Sequence, residues 1–184
     1  MPEAVAQCGW DEFLAGEACG GPRHELVGGR VFAMAGGTER HDLLAGLLFA
    51  ALFAAAPPRC RVFSQNRLVR VATNTGYYPD LLMVCGDAAH ERWEADATII
   101  VEVLSDSTED TDRREKAVAY GSLPGLERYV LFDPRGVRRV EVATRAADGS
   151  WTWEAVASGG VVEVGPVVLE VDDLFDRLDT LATT

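Results

Sequence analysis

The run ATIIVEVLS, residues 97 to 105, constrains the fold more than any other stretch. Its apolar residues are continuous rather than alternating, and Ile99, Ile100, Val101 and Val103 are β-branched, so it reads as a central strand covered on both faces. Such a strand needs packed layers above and below it, which in a chain of 184 residues means helices on a sheet. One ionisable residue, Glu102, interrupts the run. A carboxylate there is costly unless a cation, a hydrogen-bond network or a metal compensates it.

The flanking sequence supplies the layers. Residues 10 to 18 read as a short helix, broken by GGP at 20 to 22. HELVGGRVFAM reads as a hairpin turning at Gly28-Gly29, a pair able to adopt the positive dihedrals of a tight turn. Thr38 is the expected N-cap of a helix from about Glu39 to Ala56, with Leu43, Leu44, Leu47, Leu48, Ala51, Leu52 and Ala55 at helical spacing and Pro57-Pro58 ending it. Strand signals follow in RCRVFSQNRLVRVA and YYPDLLMVCG. After the central strand come the polar loop SDSTEDTD and a helix from roughly Asp112 to Ser122. ERYVLFD, RRVEVATR and WTWEAVAS read as strands, and VVLEVDDLFDRL as a strand running into a closing helix. The order predicts one mixed α/β (α+β) domain, residues 1–184, with a central mixed β-sheet flanked by helices.

Composition narrows the function. The net charge is −12 and the sequence pI about 4.6, which argues against a protein that coats nucleic acid through bulk electrostatics. A nucleic-acid enzyme with this balance needs metal ions or a local basic strip. Arg59, Arg61, Arg67 and Arg70 form the one basic cluster on a strand pair. No apolar run reaches the length of a membrane span, and the N-terminus has no signal-peptide pattern, so a cytoplasmic protein is expected. Cys8, Cys19, Cys60 and Cys85 show no CxxC pair and are expected to be reduced thiols, without disulfide or zinc roles.

Two carboxylates sit where strands are expected to be buried: Asp80, directly after Pro79, and Glu102. Each alone is ordinarily a strand-end carboxylate reaching solvent; together, on neighbouring strands, they make a reasonable Mg²⁺ pair. The 17 Lys+Arg divide into sixteen arginines and Lys116. With a helix starting near Asp112, Lys116 lies about one turn in, roughly 6 Å along the axis, which returns it to the level of Glu102. Arg113, Lys116 and Tyr120 are expected on the helix face that meets the carboxylates. A solvated charged face is the bland alternative, since SDSTEDTDRREK is rich in both signs. No GxxxxGK[ST], GxSxG or HExxH pattern occurs, so P-loop, hydrolase-elbow and zincin chemistry lack their residues.

YYPD, IIVEVLSDST, DRREKAVAY, SLPGLERYVL and DGSW, with GPRHELVGGRVFAMAGGTERH before them, resemble the Uma2 family of restriction endonucleases over about residues 10 to 155. That family is placed in the PD-(D/E)XK nuclease superfamily, so the resemblance implies a restriction-endonuclease-like core and metal-dependent phosphodiester hydrolysis with Mg²⁺ (or Mn²⁺). Asp80 matches the PD aspartate and Glu102 the (D/E) position. The superfamily lysine belongs at position 104, where this chain has Leu104, and Lys116 matches a lysine migrated to the following helix. Glu25 matches a further acidic position and His41 a histidine opening the next helix. On this resemblance Asp80 and Glu102 hold the metal, Lys116 stabilises the phosphorane charge or orients water, and DNA is the substrate. The alternatives are a catalytically silent nucleic-acid or protein-binding module, and a structural homodimer whose site handles another phosphate ester, with exposed strand edges and aromatics such as Trp151 and Trp153 available for dimerisation.

Overall fold

The computed structural model describes residues 4–34, 36–87 and 90–183. Its strands are β1 (Ala6–Gln7), β2 (His24–Val27), β3 (Arg30–Ala33), β4 (Cys60–Ser64), β5 (Leu68–Ala72), β6 (Thr75–Tyr77), β7 (Leu81–Cys85), β8 (Trp93–Glu94), β9 (Ile99–Val103), β10 (Arg128–Phe132), β11 (Arg139–Arg145), β12 (Trp151–Ala157), β13 (Val161–Val164) and β14 (Val167–Glu170). The helices are α1 (Trp10–Ala18), α2 (Glu39–Ala55), α3 (Ala117–Gly121) and α4 (Val171–Ala182), and a π-helical segment, Thr111–Lys116, leads directly into α3.

The expected α+β architecture with a mixed sheet is present, but the strands divide between two six-stranded sheets, ordered β1-β3-β2-β6-β5-β8 and β12-β11-β10-β9-β7-β4, plus the β13–β14 pair. The division runs through one long ribbon. Cys60 to Ser64 pairs antiparallel with Cys85 to Leu81 in the second sheet, whereas Val69 to Ala72 pairs with Tyr77 to Thr75 in the first. Between them Gln65 adopts a left-handed backbone, φ 43°, and Pro79 brings no N–H to the ladder. The ribbon kinks at these two residues, and Asp80 sits at the kink.

As the apolar run predicts, β9 is central, antiparallel to β7 and parallel to β10, and all five of its residues are buried. The crossover to β10 carries the π-helical segment and α3. One face of the sheet packs Val101, Val103 and Val130 against Leu44, Leu48 and Leu52 of α2 and Phe175 and Leu178 of α4. The other packs Ile100, Leu104 and Leu131 against Tyr120 and Leu123. Strand alternation therefore aims Glu102 towards the α3 layer. The first sheet buries Leu26, Val31 and Leu68 against Trp10 and Phe13 of α1.

Local signals were sound elsewhere. Gly28 and Gly29 turn the β2–β3 hairpin with φ 56° and 82°, and the Thr38 side chain accepts from the His41 N–H at the start of α2. The cysteine expectation is corrected: Cys60 and Cys85 are directly opposed in the β4–β7 register and form a disulfide, leaving Cys8 and Cys19 as thiols. Their pairing is a consequence of strand register, which spacing along the chain does not reveal. No helix among the described residues is long and apolar enough to cross a membrane.

Candidate active site

Lys116 stands at the centre of a buried carboxylate cluster. Its Nζ lies 3.1 Å from Glu102 Oε1, 3.1 Å from Asp112 Oδ1 and 3.4 Å from Glu25 Oε1, with the Tyr77 ring 5.8 Å away. Glu102 Oε1 also accepts from the Tyr120 hydroxyl at 3.2 Å, and its Oε2 accepts from the Asp80 N–H at 3.3 Å. Asp80 Oδ2 accepts from the Val103 N–H at 2.7 Å and lies 3.2 Å from His41 Nε2, while His41 Nδ1 lies 3.2 Å from Asp42. Glu25, on β2, accepts from the Tyr78 N–H at 3.2 Å. The ribbon kink, the centre of β9, the hairpin, the first turn of α2 and the π-helical segment thus deliver Asp80, Glu102, Glu25, His41 and Lys116 to one place, all five positions singled out from sequence.

Asp112 is the residue that sequence reasoning missed, and Arg113 is the one it misplaced. The expected facing set was Arg113, Lys116 and Tyr120; instead Asp112, Lys116 and Tyr120 look inward, at i, i+4, i+8. In an α-helix the i−3 and i−4 neighbours both share a face with residue i; a π-helical turn closes i→i+5 bonds and carries more residues, which favours the i−4 neighbour over i−3. Arg113 turns outward, pairing with Glu109 at 3.0 Å and with Glu141. The Tyr129 hydroxyl holds the wide turn by donating to the Asp112 carbonyl at 3.0 Å.

The charges do not balance. Three carboxylates face one ammonium, and the fourth, Asp80, faces His41 at the edge. Burial, reinforced by Asp112, Asp80 and Glu25 against the opposing pull of Lys116, holds the Glu102 carboxyl well above the usual carboxylate range. Glu25 is raised chiefly by burial too. Burial pulls Lys116 down, but Glu102 first and then Glu25 outweigh it, so the ammonium stays protonated. Burial also lowers His41, yet its hydrogen bond to Asp80 and the charge of that residue push it up to about 8.

The His41 shift gives a sign for stability. A folded pKa above the unfolded value contributes stability that is complete below about 6.5 and lost as pH rises through about 8. In EDTA, His41→Gln is therefore expected to flatten the stability profile across this window by on the order of 1 kcal/mol, after allowance for partial solvent screening. Urea denaturation at pH 6 and pH 8.5 checks this, and identical profiles for the two proteins would refute it.

The donors suit a hard divalent cation. All are carboxylate oxygens, and buried Asp112 Oδ1 makes no hydrogen bond, only its ion pair with Lys116. Among the described residues no three or more His, Cys, Asp or Glu side chains are arranged as a ready metal site, and the Lys116 ammonium lies between Glu102, Asp112 and Glu25.

Of the basic strip expected on the β4–β5 ribbon, Arg59 is exposed, whereas Arg61, Arg67 and Arg70 are engaged within the molecule. Arg61 and Arg67 converge on buried Glu94 at 3.2 and 2.9 Å, and Arg70 stacks on Trp10 and Trp93 at 4.5 and 5.3 Å.

The comparisons with known proteins bear on the fold and the family. A crystal structure of a "putative nuclease belonging to DUF820" from Anabaena variabilis superposes with a TM-score of 0.71 at 17% identity, covering 96% of this chain and 99% of that one, and shows the shared fold. Two Synechocystis proteins, "Uncharacterized protein slr1290" and "Uncharacterized protein sll1609", are 27% and 25% identical over 146 residues, covering 77% and 76% of this chain and 76% and 82% of theirs. The model of the Uma2 family, described as "Putative restriction endonuclease", matches residues 10–177, beyond the stretch whose motifs were legible and into α4. The chain belongs to the Uma2 family.

Proposed function

We propose that this protein is a metal-dependent endonuclease that hydrolyses DNA phosphodiester bonds. The observation that carries the reading is the charge imbalance: Glu102, Asp112 and Glu25 surround one ammonium, with Asp80 beside Glu102, and so many carboxylates at one largely buried place call for a further cation. Asp80 and Glu102 would hold Mg²⁺ or Mn²⁺, with Asp112 and Glu25 beside them. Such an ion, when bound, neutralises phosphate charge and activates water at neutral pH. Lys116, kept protonated by Glu102 and Glu25, stabilises the charge that develops on the phosphorane oxygens or orients the attacking water. Tyr120 and the Asp80 N–H fix both oxygens of Glu102, so its orientation is set before substrate arrives. His41 and the Val103 N–H, both at Oδ2, orient Asp80.

The test is cleavage of supercoiled plasmid and of single-stranded DNA with Mg²⁺, with Mn²⁺ and in EDTA, by wild type and Asp80→Ala. Metal-dependent nicking by wild type alone is the expected result. Absence of cleavage on both substrates with either metal would favour a catalytically silent binding module.

A further inference from the structure

The least buried members of the cluster show where it opens. Side chains of Glu102, Lys116 and Asp112 are 3%, 7% and 2% exposed, whereas Glu25, Asp80 and His41 are 16%, 15% and 10% exposed and form its lip. Beside that lip lies a polar cleft of about 350 Å³, lined by Arg23, Arg67, Arg92, Asn66 and Tyr78 and by Glu17 and Glu91. The two are joined through the backbone: Tyr78 donates its N–H to Glu25, and Gln65, next to Asn66, donates its N–H to the Asp80 carbonyl at 2.8 Å. Gln65 adopts the left-handed conformation noted at the ribbon kink, an uncommon state for a non-glycine residue and one that concentrates at functional sites.

The cleft presents three arginines and an amide, with the carboxylates of Glu17 and Glu91 on the same lining. Arg67 forms its floor, fixed by Glu94 and the carbonyls of His90 and Glu91. Arg23 lies over the Tyr78 ring at 5.4 Å, with a 3.5 Å ion pair to Glu17, which is itself engaged by His24 and the Tyr78 hydroxyl. The guanidinium of Arg92 and the side-chain amide of Asn66, both exposed, have no partner among the described residues. Planar guanidinium and amide donors are the groups that fix a sugar-phosphate backbone without reading its sequence. The volume falls at the lower end of the ~300–1,000 Å³ typical of small-ligand sites.

We infer that this cleft binds the sugar-phosphate segment adjoining the scissile phosphate of a DNA strand, through Arg92, Arg23 and Asn66. The inference rests on the nuclease reading and deepens it: it supplies the local basic contact that a chain of net charge −12 requires.

Fluorescence polarisation with labelled single- and double-stranded oligonucleotides, in EDTA over a range of KCl, tests it on the intact protein. Arg92→Ala and Arg23→Ala are each expected to weaken binding roughly 3- to 10-fold, alike for different sequences, and to lower the slope of log affinity against log salt by about 1. Arg114→Ala, an exposed arginine on the outer face of the π-helical segment, serves as the control and is expected to leave both unchanged. Wild-type affinity and slope in Arg92→Ala and Arg23→Ala, or no binding by wild type at any salt, would overturn the inference. Since EDTA removes metal-dependent cleavage from the readout, loss of the nuclease reading and loss of the cleft are separately visible.

Discussion

Replacing Lys116 by methionine is expected to abolish cleavage and to destabilise the protein by about 3–5 kcal/mol at pH 8, because Glu102, Asp112 and Glu25 lose the cation they face. The stability deficit is expected to shrink as pH falls. Glu102 and Glu25 have folded pKa values raised above their unfolded ones, so they favour the folded state when protonated, and that contribution is lost as pH rises through the folded values. Denaturant unfolding at pH 5 and pH 8 measures the difference. Lys116→Arg separates charge from shape: it restores a cation, but a planar fork in place of a compact ammonium among three carboxylates is expected to recover stability better than cleavage. A Lys116→Met protein as stable and as active as wild type would remove lysine from both roles.

Glu102→Gln is expected to produce the opposite pattern. The amide keeps the shape of the side chain, its oxygen can still accept from Lys116 and Tyr120, and it relieves the burial of a carboxylate held above its usual range, which offsets the loss of the bond that Oε2 accepts from the Asp80 N–H. Stability is expected to change by no more than about 1 kcal/mol, since removing a charge without removing its volume can offset the lost ion pair. Cleavage is expected to fall about 10³-fold or more, the equivalent of roughly 4 kcal/mol of transition-state stabilisation. A carboxylate kept for structure would give the reverse, losing stability and sparing activity. Parallel measurement of unfolding free energy and nicking rate on one preparation distinguishes them.

The two variants mark how far the sequence alone led. The β9 run named its own centrality, because five consecutive buried positions leave no polar alternation to misread, and the carboxylate inside it stood out for the same reason. The Gly28-Gly29 turn, the Thr38 cap and the Pro57-Pro58 stop of α2 are local devices, readable wherever they occur. What stayed hidden depends on partners distant in the chain. The kink at Gln65 and Pro79 shares one ribbon between two sheets, the register of β4 on β7 opposes Cys60 to Cys85, and the burial of Glu94 absorbs Arg61 and Arg67. Asp112 was hidden by a subtler cause. In an ideal α-helix both Arg113 and Asp112 share a face with Lys116, and the wider π-turn, held by Tyr129, favours Asp112 and leaves Arg113 outside.

The central claim is that an excess of buried carboxylate charge around Lys116 makes a divalent-cation site. Calorimetric titration of Mg²⁺ and Mn²⁺ into wild type and Asp80→Ala tests it most directly, independently of any substrate. Saturable binding by wild type that is lost in the variant, with both proteins folded by circular dichroism, is the predicted result. No binding of either ion by folded wild type, or equal binding by Asp80→Ala, would contradict it.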